Sequence, residues 1–188
     1  MAEAAINIFE TNGYKRSNSI AVNSYGMFNQ TGHRLISLVV PAVRGLFQAV
    51  RAHETPEKMI KALLRLVTLW FRFGETESVL VEVEQQLTET PISRWLMAIP
   101  QLIARLGTRH KALQGELIQL LRNISSHYPH AVIWPLLTAS QTRKVEHDQA
   151  ARVIMDFICS MPDGTRLVNQ AELVGRELIR TSISWMEK

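Results

Sequence analysis

Ile60, Leu63, Leu64, Val67, Trp70 and Phe71 recur at three- and four-residue steps, the spacing that aligns side chains along one face of an α-helix. The ends of that run are marked too. Thr55 is placed to cap the first free amides, Pro56 suits a first helical position because its missing N–H would be unpaired there, and Gly74 suits a left-handed exit. The pattern predicts a helix over 56–73. Downstream, Val79, Leu80, Val83 and Leu87 mark one helix. Ile92, Trp95, Leu96, Ile99, Ile103 and Leu106 mark a second, started by Ser93 and stopped by Gly107. Leu113, Leu117, Leu120, Leu121, Ile124 and Tyr128 mark a third, ended by Pro129. Val145, Val153, Ile154, Phe157 and Ile158 predict a helix that closes before the turn Met161-Pro162-Asp163-Gly164. Asp163 or Thr165 would then cap a final helix carrying Leu167, Val168, Ala171, Val174, Leu178, Ile179 and Ile183. By contrast, residues 1–34 are rich in Asn, Ser and Gly and hold no sustained apolar period, so they read as a poorly patterned leader before an organised region over 35–188.

Strict apolar–polar alternation is missing and the β-branched residues fall at helical spacings, which makes the fold class all-α. Pro41, Pro100 and Pro135 each interrupt an apolar helical stretch. In helical-repeat proteins such a proline kinks the first helix of a pair, since it removes a backbone hydrogen bond and clashes with the preceding turn. The expected architecture is therefore a HEAT/TPR-like α-solenoid of stacked antiparallel helices, although the three prolines are unevenly spaced. The last helix carries no Gly, Asn or Pro stop, and its periodicity still runs at Trp185, so truncation is expected.

Composition narrows the function classes. A length of 188 residues is about one domain. A hydrophobic share of 46% with 20% charged residues describes a chain that buries a core rather than a disordered one. Arg44, Arg65, Arg105 and Arg122 divide the apolar runs below the length of a membrane span. Met1–Glu10 carries two acids, no base and no small-residue cleavage site after an apolar block, unlike a secretory signal, and the lone Cys159 cannot form an internal disulfide, so a cytoplasmic location is expected. The net charge of +4 is distributed in blocks. Glu75, Glu77, Glu82, Glu84 and Glu89 precede a basic stretch with Arg94, Arg105, Arg109 and Lys111. These blocks read as solvated faces of successive helices, not as a nucleic-acid surface, a reading that would rest only on the isoelectric point near 9.5.

No chemistry-bearing motif emerges. The nine glycines are scattered and form no phosphate loop, and neither an H-R-D nor a D-F-G run is present. His127 and His130 stand at a metal-like spacing, but Pro129 lies between them and no third ligand is near in sequence, so they read as surface or capping side chains. Cys159 with His147 could make a thiol and a base, yet Phe157 and Ile158 place the cysteine in a helix interior as a small hydrophobe. Trp70 and Trp95 belong to apolar stripes and are expected in the core, Trp134 packed between helices, and Trp185 exposed beside the chain end. No catalytic, cofactor-binding or metal-binding residue is assigned.

Several runs together are more specific than any one. Val39-Val40-Pro41-Ala42-Val43-Arg44-Gly45-Leu46-Phe47, then Leu66-Val67-Thr68-Leu69-Trp70-Phe71, then Trp95-Leu96-Met97-Ala98-Ile99-Pro100-Gln101-Leu102-Ile103-Ala104-Arg105 resemble the FAT domain of the target-of-rapamycin (TOR) kinases, in the family's order. His127-Tyr128-Pro129-His130-Ala131-Val132-Ile133-Trp134-Pro135-Leu136 and Glu177-Leu178-Ile179-Arg180-Thr181-Ser182-Ile183-Ser184-Trp185 continue the resemblance, which spans 35–188. Residues 1–34 do not match the family pattern, and Ala112-Leu113-Gln114-Gly115-Glu116 departs from it in detail while keeping the helical face. The resemblance implies a scaffold segment of a phosphatidylinositol-3-kinase-related serine/threonine kinase, curved around the kinase domain. It further implies that the rapamycin-binding bundle begins about where this chain stops, and that ATP and magnesium belong to the parent's kinase domain. Implied partners are that kinase domain, the bundle and other TOR-complex subunits, with no nucleic acid and no membrane span. The competing reading is a free-standing helical-repeat adaptor without kinase activity.

Overall fold

The computed structural model describes residues 37–140 and 145–186, with backbone alone at 145–147 and 183–186. The leader over 1–34 and the side chains of His147, Ile183 and Trp185 lie outside the described residues. A first helix, α1, occupies 37–52 of the described chain. It is followed by α2 (Pro56–Phe73), α3 (Glu77–Glu89), a 3-10 segment (Ile92–Ala98), α4 (Ile99–Ile103), α5 (Lys111–His127), α6 (Pro129–Ser140), α7 (Val145–Cys159) and α8 (Gly164–Met186). No strand occurs among the described residues.

The ends of α2 fall where the sequence puts them, but the devices differ. Thr55 is extended at φ −82° and makes no side-chain cap; its carbonyl accepts from the Met59 amide at 3.1 Å, while Pro56 opens the helix. Gly74 does not make the expected left-handed exit. Its φ is −69° and its ψ −3°, and its N–H donates to the Trp70 carbonyl at 2.7 Å. Glycine is needed there for space: a Cβ would overlap the Trp70 carbonyl oxygen and stand 2.8 Å from Cδ1 of Leu113 in α5.

The single helix expected from Ser93 to Gly107 is two pieces. Pro91 precedes the 3-10 segment, Ser93 is an exposed residue within it, and Pro100 sits in the first turn of α4. With no N–H, Pro100 cannot continue an α-helical ladder from the segment before it, so the chain tightens upstream and restarts. Of the three prolines, Pro135 lies inside α6, Pro41 on the exposed side of α1, and Pro100 at a start where it removes no helical bond. Pro129 ends one helix and begins the next. Asp163 adopts φ 59°, the left-handed conformation that aspartate tolerates, and this turn joins α7 to α8. Thr165 reaches back, its hydroxyl donating to the Cys159 carbonyl at 3.1 Å.

Packing proceeds along the chain. The α2 helix meets α3 and the 3-10 segment, α5 meets α6 and α7, and α7 meets α8, so each element leans on its near neighbours in sequence. One core runs through the stack from Val43 and Phe47 in α1, through Leu63, Leu66 and Trp70, to Ile154, Ile158, Val168 and Ala171. This nearest-neighbour burial of apolar stripes is the physical definition of an α-solenoid, and the fold is all-α of that kind.

One glutamate breaks the reading of the acidic block as a solvated face. Glu82 is buried with Gln86, a four-residue step along one side of α3, and with Thr90, the residue that closes the helix. Arg44 of α1 grips both carboxylate oxygens of Glu82, Nε donating to Oε1 at 2.9 Å and Nη2 to Oε2. Arg51 donates to Gln86 Oε1 at 2.8 Å and to Thr90 Oγ1 at 3.3 Å, and stands 3.5 Å from Glu89. Burial of these groups is tolerable because each has a partner.

Candidate interaction surface

The final helix carries one apolar stripe with two fates. Val168 and Ala171 are buried, while Val174, Leu178 and Ile179, further along the same face, are 47%, 63% and 48% exposed. The helix outruns the elements it packs against. Beside the bare stretch stands Trp134 of α6, also exposed at 43%. Its neighbours Val132, Ile133 and Leu136 are buried. Two steps on from Val132 carries Trp134 around to the far side of α6. The expectation that Trp134 packs between helices is therefore half right: its ring faces Gly175, where an added Cβ would lie 3.6 Å from it, and its other side is open.

Between α6 and α8 this leaves a groove of about 430 Å³ whose lining includes Trp134 and Leu137 from α6 and Leu178, Ile179, Glu172 and Arg176 from α8. An exposed tryptophan beside an aliphatic row is the composition of a protein-docking surface. A Cβ at 175 would rest against the indole at 3.6 Å, an ordinary contact distance.

The other residues singled out in the sequence are placed as follows, with the side chain of His147, the suggested partner of Cys159, outside the described residues. His127 is exposed, and its Nδ1 stands 3.0 Å from both the Asn123 carbonyl and the Ser126 hydroxyl. His130 is exposed in the first turn of α6. No group of three or more His, Cys, Asp or Glu that could hold a metal ion occurs among the described residues. Cys159 is half-buried against the core, and burial pushes its thiol up, with Asp156 and Glu172 adding to the shift. The thiolate is disfavoured, as befits a small packing residue. Trp70 and Trp95 are fully buried, as expected.

Residues 78–175 match the family model described as Serine/threonine-protein kinase ATR-like, HEAT repeats. The chain belongs to this family. Its relatives include the serine/threonine-protein kinase tor1 of Schizosaccharomyces pombe, 33% identical over 188 aligned positions that cover 96% of this chain and 8% of the relative. The serine/threonine-protein kinase TOR of Oryza sativa is 37% identical over 152 positions, 79% of this chain and 6% of the relative. The kinase TOR2 of Saccharomyces cerevisiae is 31% identical over 150 positions, 80% of this chain and 6% of the relative. The chain thus spans less than a tenth of the length of these curated relatives. Among the described residues of this HEAT-repeat chain, no helix is long and apolar enough to cross a membrane.

Proposed function

We propose that this chain is a non-catalytic scaffold segment of a TOR-type serine/threonine protein kinase, the C-terminal part of its FAT domain, which clamps and positions the kinase domain. The observation that carries the reading is similarity to TOR kinases over most of the chain, coincident with one unbroken core from α1 to α8. A stack of this kind transmits position rather than chemistry, because each helix is held by its neighbours and the whole behaves as a stiff curved spring. ATP and magnesium, on this reading, are held by the parent's kinase domain, the parent phosphorylates proteins in nutrient and growth signalling, and it works in the cytoplasm. The bare face of α8 serves as the junction with the rapamycin-binding bundle, and other TOR-complex subunits dock on the same scaffold.

The test uses full-length kinase carrying the equivalent of Leu178→Pro, which breaks α8, beside Leu178→Glu, which keeps the helix and charges its bare face. Both should lower kinase activity in folded enzyme; wild-type activity in both would sink the clamp. The size of the endogenous product separates the two function classes. A band more than ten times the 21.4 kDa of this chain supports the kinase, whereas one at 21.4 kDa supports a free-standing adaptor.

A further inference from the structure

Four hydroxyl side chains of the described residues stand three positions after an arginine: Ser37 after Arg34, Thr68 after Arg65, Thr108 after Arg105 and Ser125 after Arg122. That spacing is the one by which Arg-directed serine/threonine kinases recognise an acceptor, through carboxylates in the kinase's own substrate groove. The acceptor must be drawn into that groove, which a loop permits and a helix resists. Ser37 opens α1, Thr68 lies inside α2 and Ser125 inside α5. The last two hydroxyls are committed to the Leu64 and Leu121 carbonyls at 2.8 and 2.7 Å, and Ser125 is fully buried besides. Thr108 differs. It lies in the non-helical connection over 104–110, between α4 and α5, and its hydroxyl has no hydrogen-bond partner among the described residues. Its amide donates to the Arg105 carbonyl at 3.1 Å, so Arg105 and Thr108 are the two ends of one tight turn.

The charges around that turn are of one sign. From Thr90 to Gly115 the sequence has no Asp or Glu, while Arg105, Arg109 and Lys111 all lie within three residues of Thr108. None of the three makes an ion pair among the described residues, and Arg105 rests over the Phe71 ring at 4.9 Å. Lys111 begins α5, whose first turn holds no acidic side chain. His110 caps that helix with a neutral acceptor, Nδ1 receiving the Leu113 amide at 3.4 Å. A dianion added at 108 therefore meets cations and the positive end of a 17-residue helix, with no carboxylate near in sequence to repel it.

We propose that Thr108 is a phosphorylation site for an Arg-directed serine/threonine kinase, and that the phosphate is held by Arg109 and Lys111 and fastens the start of α5. In the transfer, Oγ1 of Thr108 attacks the γ-phosphorus of ATP and its proton passes to the kinase's base. The bond from that phosphorus to the bridging oxygen breaks, and ADP leaves. The consequence is felt beyond the loop, because α5 packs on α3, the 3-10 segment, α4, α6 and α7. Charge added at its start acts on the middle of the stack, whether or not the chain is a scaffold of a larger kinase.

The full 188-residue chain is incubated with ATP and a calcium/calmodulin-dependent protein kinase as the Arg-directed probe, and the product is mapped by peptide mass spectrometry. It carries Ser19→Ala, because Arg16 gives Ser19 the same spacing outside the described residues. Phosphate is expected on Thr108, absent in Thr108→Val and added about tenfold more slowly in Arg105→Gln. The phosphorylated chain should melt at a higher temperature than the unmodified one. Arg109→Gln/Lys111→Gln should still accept the phosphate but lose that rise. Circular dichroism of each variant before phosphorylation separates a fold defect from a lost contact. No phosphate on Thr108, phosphate confined to Ser37, Thr68 or Ser125, or transfer indifferent to Arg105→Gln overturns the site. Phosphate on Thr108 that lowers the melt, leaves it unmoved or raises it equally in the double variant overturns the role given to the two cations.

Discussion

Trp70 of α2 and Trp95 of the 3-10 segment meet edge to face, ring centroids 6.4 Å apart and planes at 64°, and Phe47 of α1 meets Trp95 in the same way at 6.0 Å. Three elements distant in sequence are pinned at one point. Both indole N–H groups are buried without an acceptor, so the pair holds by packing against an unfavourable polar burial. Trp95→Ala should cost about 3–5 kcal/mol in urea unfolding. Trp95→Phe should cost distinctly less, because it removes the orphaned donor along with part of the volume.

Two glycine replacements should move stability in opposite directions. Gly74→Ala is acceptable to the backbone, yet its Cβ meets the Trp70 carbonyl and Leu113, so a loss of about 1–3 kcal/mol is expected. Gly115→Ala, inside α5 with nothing within 4 Å of the new Cβ, should gain about 0.5–1 kcal/mol from helix propensity. Thermal melts of both variants check the pair; a stabilised Gly74→Ala would contradict the close approach.

The Arg44 guanidinium holds the Glu82 carboxyl below the ordinary carboxylate range, against the opposing pull of burial. A lowered folded-state pKa contributes stability that is present above the unfolded value and lost as pH falls through the folded one. The chain should therefore destabilise on acidification below the normal glutamate range. Glu82→Gln should flatten that part of the profile, as read by melting temperature against pH.

Glu116 carries the opposite sign. Burial, and then the nearby Glu84, raise its pKa, so its ionisation opposes folding as pH rises through the folded value. Glu116→Gln should raise the melting temperature modestly at neutral pH and leave it unchanged in acid. A variant less stable than wild type at neutral pH would show that the carboxylate has a partner instead.

On α8, Leu178→Glu in this chain should leave the melt within about 0.5 kcal/mol of wild type, because the side chain is already largely in water. The bare stripe should make the wild-type chain self-associate at high concentration, and sedimentation should show less association in the variant. Equal association in the variant would remove the bare stripe as the adhesive surface.

Apolar periodicity by itself determined the all-α class, the run of α2 over 56–73, the inward face of α5 from Leu113 to Ile124, and the core placement of Trp70 and Trp95; on α7 it found Ile154 and Ile158 but counted the exposed Val153 and passed over the buried Ala150 and Ala151. Each of these depends on which residues recur at the helical step, a local quantity. The turn before α8 was legible for the same reason, since Pro162 and Gly164 bracket it in sequence. Only the tertiary structure decided the rest. Gly74 reads as a left-handed exit until Leu113 of α5 is seen beside it. The helix expected over the second apolar run divides at Pro100, because a missing N–H outweighs a continuous stripe. Glu82 looks like one member of an acidic surface, though its four-residue spacing to Gln86 and Thr90 was the available signal; Arg44, thirty-eight residues away, is what makes its burial possible. The same holds for exposure, since Leu64, which the sequence counts with the core positions of α2, is 39% exposed. A stripe states that a side chain can be buried, but whether Trp134, Leu64 or Leu178 is covered depends on where the neighbouring helices end, and no local pattern encodes that.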